Sequence, residues 1–206
     1  MDSANNNNFN WTNIGFNKNV CSFYNTVLFF NKLGINGEFV QDNLVYSKIN
    51  VLRGLHFQKP PREQAKLIKV NNGKIQDVVV DLRVDSKTFG LVETFELDDI
   101  KKHQVFMPRG VAHGFIVLSD DAIFSYKVDN YYAPNHESGL KFDDNSLDID
   151  WIVDAKDIKL SIKDKSNDNI IAEIDQFLYL LLIINNEKIN KKKTTDPIYA
   201  GASTNG

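Results

Sequence analysis

Between residues 39 and 151 the chain never sustains a helical period; short β-rich runs follow one another, each closed by turn residues. This is the strongest constraint on the fold. Closely spaced short strands close into a sandwich or barrel, whereas a βαβ fold needs a helix between successive strands. The pattern predicts strands at residues 66–70, 74–82, 89–97, 103–107, 113–118 and 122–128. Between the first two stands Asn71-Asn72-Gly73, whose residue types tolerate the positive φ of a tight turn, so a hairpin is expected there.

The flanks read differently. Residues 21–33 mix aromatics with Asn and suit either a strand or a short helix. Residues 157–182 carry Ile170, Ile171, Ile174, Phe177, Leu178 and Leu181 at helix-compatible spacing, which predicts one C-terminal helix. Residues 185–206, with Lys191-Lys192-Lys193 followed by Thr, Asp, Pro, Gly and Asn, have little to bury and read as a disordered, solvated tail. The expected organisation is a polar N-terminal segment at 1–20, one all-β domain at 21–184 that includes the helix, and a tail at 185–206.

Composition removes several function classes. With 206 residues, 42% of them hydrophobic and 25% charged, and a net charge of only -3, the chain is an ordinary globular domain with no signature of a polyanion partner. Nucleic acid is therefore not an expected ligand. The longest apolar run, at 177–184, falls far short of the roughly 20 residues that cross a bilayer. Cys21 has no second cysteine to pair with, and the first residues show neither a basic nor an apolar leader region. A cytoplasmic protein is the expectation.

Two histidine motifs stand out: Arg53-Gly54-Leu55-His56-Phe57-Gln58, and Pro108-Arg109-Gly110-Val111-Ala112-His113-Gly114-Phe115. Both resemble the motifs of cupin barrels, and the resemblance implies a cupin-like jelly roll. Metal-binding cupins carry His-x-His in the first motif. Here the second position is Gln58, and a carboxamide is a poor substitute for imidazole at a transition metal. Glu63 keeps a usable spacing, so His56, Glu63 and His113 remain an alternative metal-ligating set. Arg53 and Lys66 place two cations close to His56 in sequence, which favours a different chemistry.

The run Arg53-Gly-Leu-His-Phe-Gln-x-Pro-Pro-x-x-Gln64-x-Lys66 resembles the dTDP-4-dehydrorhamnose 3,5-epimerase family. Further matches follow in order. They are Phe39-Val-Gln-Asp-Asn43, Asp81-Leu-Arg83, Thr88-Phe-Gly90, Tyr126-Lys-x-x-Asn130-Tyr131-Tyr132, Lys141-Phe-Asp-Asp144, Ile149-Asp-Trp151 and Leu160-Ser-x-Lys-Asp164. The likeness covers roughly residues 38–166. It implies an enzyme of deoxysugar biosynthesis that moves protons next to the C4 ketone of a nucleotide-linked 4-keto-6-deoxyhexose. It also implies a homodimer and no cofactor.

Such chemistry needs a base on one face of the sugar, a cation at the carbonyl oxygen and an acid on the opposite face. An imidazole, with a pKa near 6.5, suits the base at neutral pH. By resemblance the base is His56, oriented by Asp164. Lys66 and His113 lie by the developing oxyanion, and Tyr126 returns the proton. Arg53 and Arg62 suit the diphosphate, while Gln41, Asn43, Gln58 and Tyr132 belong to the substrate-binding set. The region before Phe39 departs from the family: relatives carry Asp-x-Arg-Gly, aromatics and Glu, where this chain reads Asn17-Lys-Asn-Val-Cys-Ser-Phe-Tyr24. Arg109 stands where many relatives have Glu. Three readings follow: an epimerase acting at C3, C5 or both, a metal-dependent cupin enzyme, and a catalytically silent sugar-nucleotide binding module.

Overall fold

In the computed structural model of the chain, residues 12–14, 38–170 and 172 are described. Eleven strands and one complete short helix are found among them. The strands are β1 (Thr12–Ile14), β2 (Gln41–Lys48), β3 (Val51–Gln58), β4 (Lys66–Asn72), β5 (Lys74–Asp81), β6 (Val92–Asp98), β7 (Gln104–Met107), β8 (Val111–Val117), β9 (Asp121–Val128), β10 (Glu137–Gly139) and β11 (Lys159–Leu160). Helix α1 spans Ile162–Lys165, and short 3-10 turns occupy Pro134–His136 and Ala155–Asp157. The expected strands are all present. The strand-like text also held β2 and β3, which its local pattern did not single out.

The strands form two sheets, ordered β1-β7-β4-β9-β2 and β10-β3-β8-β5-β6, with β11 joined to β3. Every pairing is antiparallel except β11 with β3. The sheets share one core, a jelly roll filled by Ile68, Val70, Val105, Met107 and Phe124 from the first sheet and Ile75, Val79, Leu97, Phe115 and Val117 from the second. Alternation sets these faces. On β2 the even positions lie exposed while Gln41, Asn43 and Val45 turn inward. Strand β5 lies between β6 and β8 and is buried from Ile75 to Asp81, because its outer face is covered too. There the Gln76 amide donates to Asp150 O at 2.7 Å and accepts from Ile152 N at 2.9 Å.

Two local expectations change. Gly73 does take positive φ, at 82°, but β4 and β5 pair with different partners in different sheets, so the turn is a corner rather than a hairpin. The register of β4 on β9 shifts between Val70 and Asn72, and Lys74 N then donates to Ser119 Oγ at 2.8 Å. This corner lets Val70 and Ile75 meet the same core from opposite sheets. The helix expected at 157–182 is broken in its described part. Leu160 is captured by β3, pairing with Leu52, and Ser161 caps the one-turn helix α1 by accepting from Asp164 N at 3.1 Å. Tertiary pairing overrides the helical spacing there.

The chain divides into two compact units, Met1–Asp168 and Asn169–Gly206. Residues 170 and 172 of the second are helical. The segment at 21–33, the altered loop at 17–24 and the tail at 185–206 lie outside the described residues.

Gly54 fixes the irregularity on which the site depends. Its φ is +123°, and a Cβ there would fall 2.5 Å from Gly114 Cα, a backbone atom that cannot yield. Gly90 also has positive φ, +76°, but its Cβ would meet nothing within 4 Å. Gly54→Ala is therefore expected to cost more than about 2 kcal/mol, whereas Gly90→Ala pays only the left-handed penalty of roughly 1–2 kcal/mol. Urea unfolding of both variants checks this, and equal losses would contradict the close-approach argument.

Candidate active site

Inward-facing positions that stay partly exposed mark where the core opens between the two sheets. His56 on β3 pairs directly with His113 on β8, so the two imidazoles share a face. On the other sheet, Tyr126 of β9 lies opposite Asn43 of β2 and Ile68 of β4. Lys66 sits between Met107 and Val128, and Gln41 pairs with that same Val128. His56, Lys66, Tyr126, Gln41 and Asn43 are all half-buried. The expected residues thus come from five strands of two sheets to one opening.

Asp164 reaches His56 through the irregularity in β3. The register on β8 shifts between Arg53 and His56, which keeps both residues on the inner face although three positions separate them. The Gly54 N–H, left without a partner on β8, donates to Asp164 Oδ1 at 3.2 Å, and the same oxygen lies 2.7 Å from His56 Nε2. That last contact is within hydrogen-bonding distance and sets the carboxylate directly against the imidazole. Ser161 Oγ donates to Asp164 Oδ2 at 2.5 Å. Burial works to raise the Asp164 carboxyl, but His56, Ser161 and the Gly54 N–H outweigh it and hold it down at about 2. Asn167 braces the same place, donating to Gly54 O at 3.1 Å and to Leu140 O at 3.3 Å.

A second histidine–carboxylate pair lies deeper. His113 Nε2 is 3.0 Å from Asp77 Oδ2, and Asp77 is fully buried. A carboxylate can only accept, so Nε2 carries the proton and a neutral His113 presents Nδ1 as an acceptor. Burial pushes the His113 imidazole down most strongly; Asp77 opposes this, and Lys66 and His56 reinforce it. Lys66 Nζ donates to His56 O at 3.4 Å. Burial lowers its ammonium to about 8, against the pull of Asp77 and Glu137.

Glu137 is the third carboxylate of the opening. Strand β10 pairs it with Gln58, on the face that Gly139 shares with His56. Its Oε1 lies 2.5 Å from Lys163 Nζ, and its Oε2 accepts from the Tyr132 hydroxyl. Burial would raise the Glu137 carboxyl, yet Lys163 and Tyr132 bring it below the usual range. Tyr126 is raised by burial first and then by Glu137, so its phenol stays protonated well beyond neutral pH.

Asp77, Glu137 and Lys163 were not expected from sequence. Asp77 left a signal: a carboxylate at an inward position of an apolar strand must meet a partner. Glu137 left none, since only the β10 register brings it in. Among the expected substrate-binding residues, Gln41 Nε2 donates to Asn43 Oδ1 at 2.8 Å. Arg53 lies opposite Phe115 and is exposed, and Arg62 is exposed on the turn after β3. Gln58 ends β3 and is buried. Its amide is committed to backbone groups, donating to Arg62 O and Tyr131 O and accepting from Ala133 N. Of the alternative metal set, His113 already has Nε2 on Asp77, and no cluster of three potential ligands occurs among the described residues.

The arrangement resembles known enzymes along most of its length. The family profile described as dTDP-4-dehydrorhamnose 3,5-epimerase matches residues 19–171. The Escherichia coli enzyme of that description is 41% identical over 160 residues, covering 78% of this chain and 84% of its own. The crystal structure of the Elizabethkingia anophelis enzyme is 47% identical, with a TM-score of 0.68 over 70% of this chain and 79% of its own. A Legionella pneumophila dTDP-6-deoxy-D-glucose-3,5-epimerase, solved in complex with dTDP-4-keto-L-rhamnose, is 37% identical with a TM-score of 0.70, covering 79% of this chain and 88% of its own. With a matching jelly roll and a matching sequence through the whole site, the chain belongs to the dTDP-4-dehydrorhamnose 3,5-epimerase family.

Proposed function

We propose that the protein is an epimerase that inverts C3, C5 or both of a nucleotide-diphospho-4-keto-6-deoxyhexose in deoxysugar biosynthesis, with a dTDP-linked sugar as substrate. One observation carries this reading: His56 and Tyr126 come from facing sheets, with Lys66 at the same opening. A flat ring between the sheets would meet a base on one face and a phenol on the other.

Neutral His56 removes the proton from a carbon next to the C4 ketone, and Asp164 stabilises the imidazolium that forms, as in other histidine–aspartate pairs. The electron pair moves to the C4 oxygen as an enolate. Lys66, charged below about 8, faces that oxygen, and preorganised charge of this kind contributes about 3–4 kcal/mol. Tyr126 then gives its phenolic proton to the opposite face of the carbon, which inverts the centre. Solvent takes the proton from His56 and returns one to Tyr126. His113, tied to Asp77, lines the oxygen side. Arg53 and Arg62 serve the diphosphate, while Gln41, Asn43 and Tyr132 serve the rest of the nucleotide sugar.

The protein works as a homodimer in the cytoplasm in this reading. Val40, Leu44 and Tyr46 lie exposed at 36%, 73% and 56% on and beside edge strand β2, an apolar strip that a second copy would cover. No helix among the described residues is long and apolar enough to cross a membrane. A sedimentation mass equal to one chain would count against the dimer.

Incubation with dTDP-4-keto-6-deoxyglucose in deuterated water, followed by NMR, tests the chemistry. Deuterium is expected at C3, C5 or both, and its absence at both carbons would overturn the reading. His56→Ala should lower exchange by at least about 100-fold, the usual worth of a positioned acid–base group. Tyr126→Phe should keep exchange while slowing net inversion; near-normal inversion would remove Tyr126 from the acid role. The charged form of Lys66 exists below its pKa, so kcat/KM should fall as pH rises through about 8. Lys66→Arg should abolish that alkaline limb, and a limb that persists in the variant would assign it to another group.

A further inference from the structure

Gln58 occupies the position where a metal-binding cupin carries a second imidazole, and the proton-transfer chemistry above gives it no role. It is 5% exposed, yet its side-chain amide donates to Arg62 O and to Tyr131 O, the latter at 3.4 Å, while its carbonyl accepts from Ala133 N at 2.6 Å. Two stretches of chain therefore meet on one side chain. The first is the turn at 59–62, closed by Arg62 N donating to Lys59 O at 3.0 Å. The second is the strap at 129–133, between β9 and β10.

Neighbouring contacts repeat the pattern. Gln64 Nε2 donates to Asn130 O at 2.7 Å, Asn130 Nδ2 donates to Glu63 O at 3.4 Å, and Ala65 N donates to Asp129 Oδ1 at 2.7 Å. Arg109 Nε donates to the other oxygen of Asp129 at 2.8 Å. Gln58 differs from these in what it holds. Its contacts at Tyr131 O and Ala133 N bracket Tyr132, whose N–H donates to Gln41 Oε1 at 3.5 Å and whose hydroxyl donates to Glu137. Glu137 in turn acts on Lys66 and Tyr126 by charge.

We propose that Gln58 is a positioning residue for substrate binding: its amide fastens the 59–62 turn to the 129–133 strap and so sets Arg62 and Tyr132 at the opening. The assignment rests on the epimerase reading for the identity of the ligand, and on the hydrogen bonds alone for the fastening. An amide is suited to the task because it donates and accepts at once in a buried place, where an unpaired backbone group is costly. Imidazole in this position could not satisfy two carbonyls and an N–H together.

Gln58→Met keeps the length and removes all three contacts; Gln58→Glu keeps the acceptor for Ala133 N and loses the donors. Titration with dTDP, steady-state kinetics and amide hydrogen exchange of Ala133 are read on the full chain. In Gln58→Met, Kd for dTDP and KM should rise about tenfold, as expected from losing one to two net hydrogen bonds, while kcat falls less than about threefold. Ala133 should exchange faster in Gln58→Met than in Gln58→Glu, which keeps its acceptor, while the Glu carboxylate faces the Arg62 and Tyr131 carbonyls without a donor, so Kd and KM should rise in that variant as well. Should Gln58→Met fail to fold, the Glu variant decides, because unchanged Kd and KM there would overturn the proposal. Faster Ala133 exchange with unchanged Kd and KM, or a fall in kcat alone, would also overturn it. If the unmodified protein gave no deuterium exchange on the ketosugar, the epimerase reading would fail, and the dTDP and Ala133 measurements would still decide the role of Gln58.

Discussion

The contact that everything at the opening depends on is the Asp164 carboxylate against β3. One side chain meets the Gly54 N–H left over by the strand irregularity, lies against His56, and receives the hydroxyl of the helix cap Ser161. Each partner serves a different level of structure. The Gly54 bond satisfies a backbone donor that β8 cannot reach, the Ser161 bond holds α1, and the His56 contact orients the ring. Removing this carboxylate would leave a buried donor unpaired and His56 without the group that faces its ring.

Around that contact the charges are arranged by opposing burial against partners. Burial alone would raise the Asp164 and Glu137 carboxyls, yet the groups facing them hold both below the usual carboxylate range. Lys66 and His113 go the other way, because burial exceeds the pull of the carboxylates near them. The opening therefore combines firmly charged anions with cations that release protons more readily than usual, and a neutral phenol in Tyr126. Proton transfer near neutral pH needs such an uneven set.

Much of this was legible in the sequence because strand alternation and ordered motifs are local. The six expected strands form, and the motif residues His56, Lys66, His113, Tyr126 and Asp164 reach one opening. The misreadings share a cause, which is that long-range pairing decided between local options. Asn71-Asn72-Gly73 supplies a tight turn in either a hairpin or a corner, and only the partners of β4 and β5 choose the corner. Helical spacing after residue 157 yields to β11, whose pairing with β3 no local pattern contains. Glu137 enters through register alone, and Gln58 binds backbone groups both of the adjacent 59–62 turn and of the distant 129–133 strap.

The tie between Gly54 and Asp164 spans 110 residues of sequence. A ribosome adding residues at about 5–20 per second needs on the order of 5–20 s to make that stretch. Throughout that interval β3 has neither the carboxylate that will face His56 nor the acceptor for the Gly54 amide. The sheets can begin to associate as they emerge, but the reactive centre is assembled only when the last short helix arrives. Synthesis thus completes the catalytic apparatus late, after most of the scaffold that holds it.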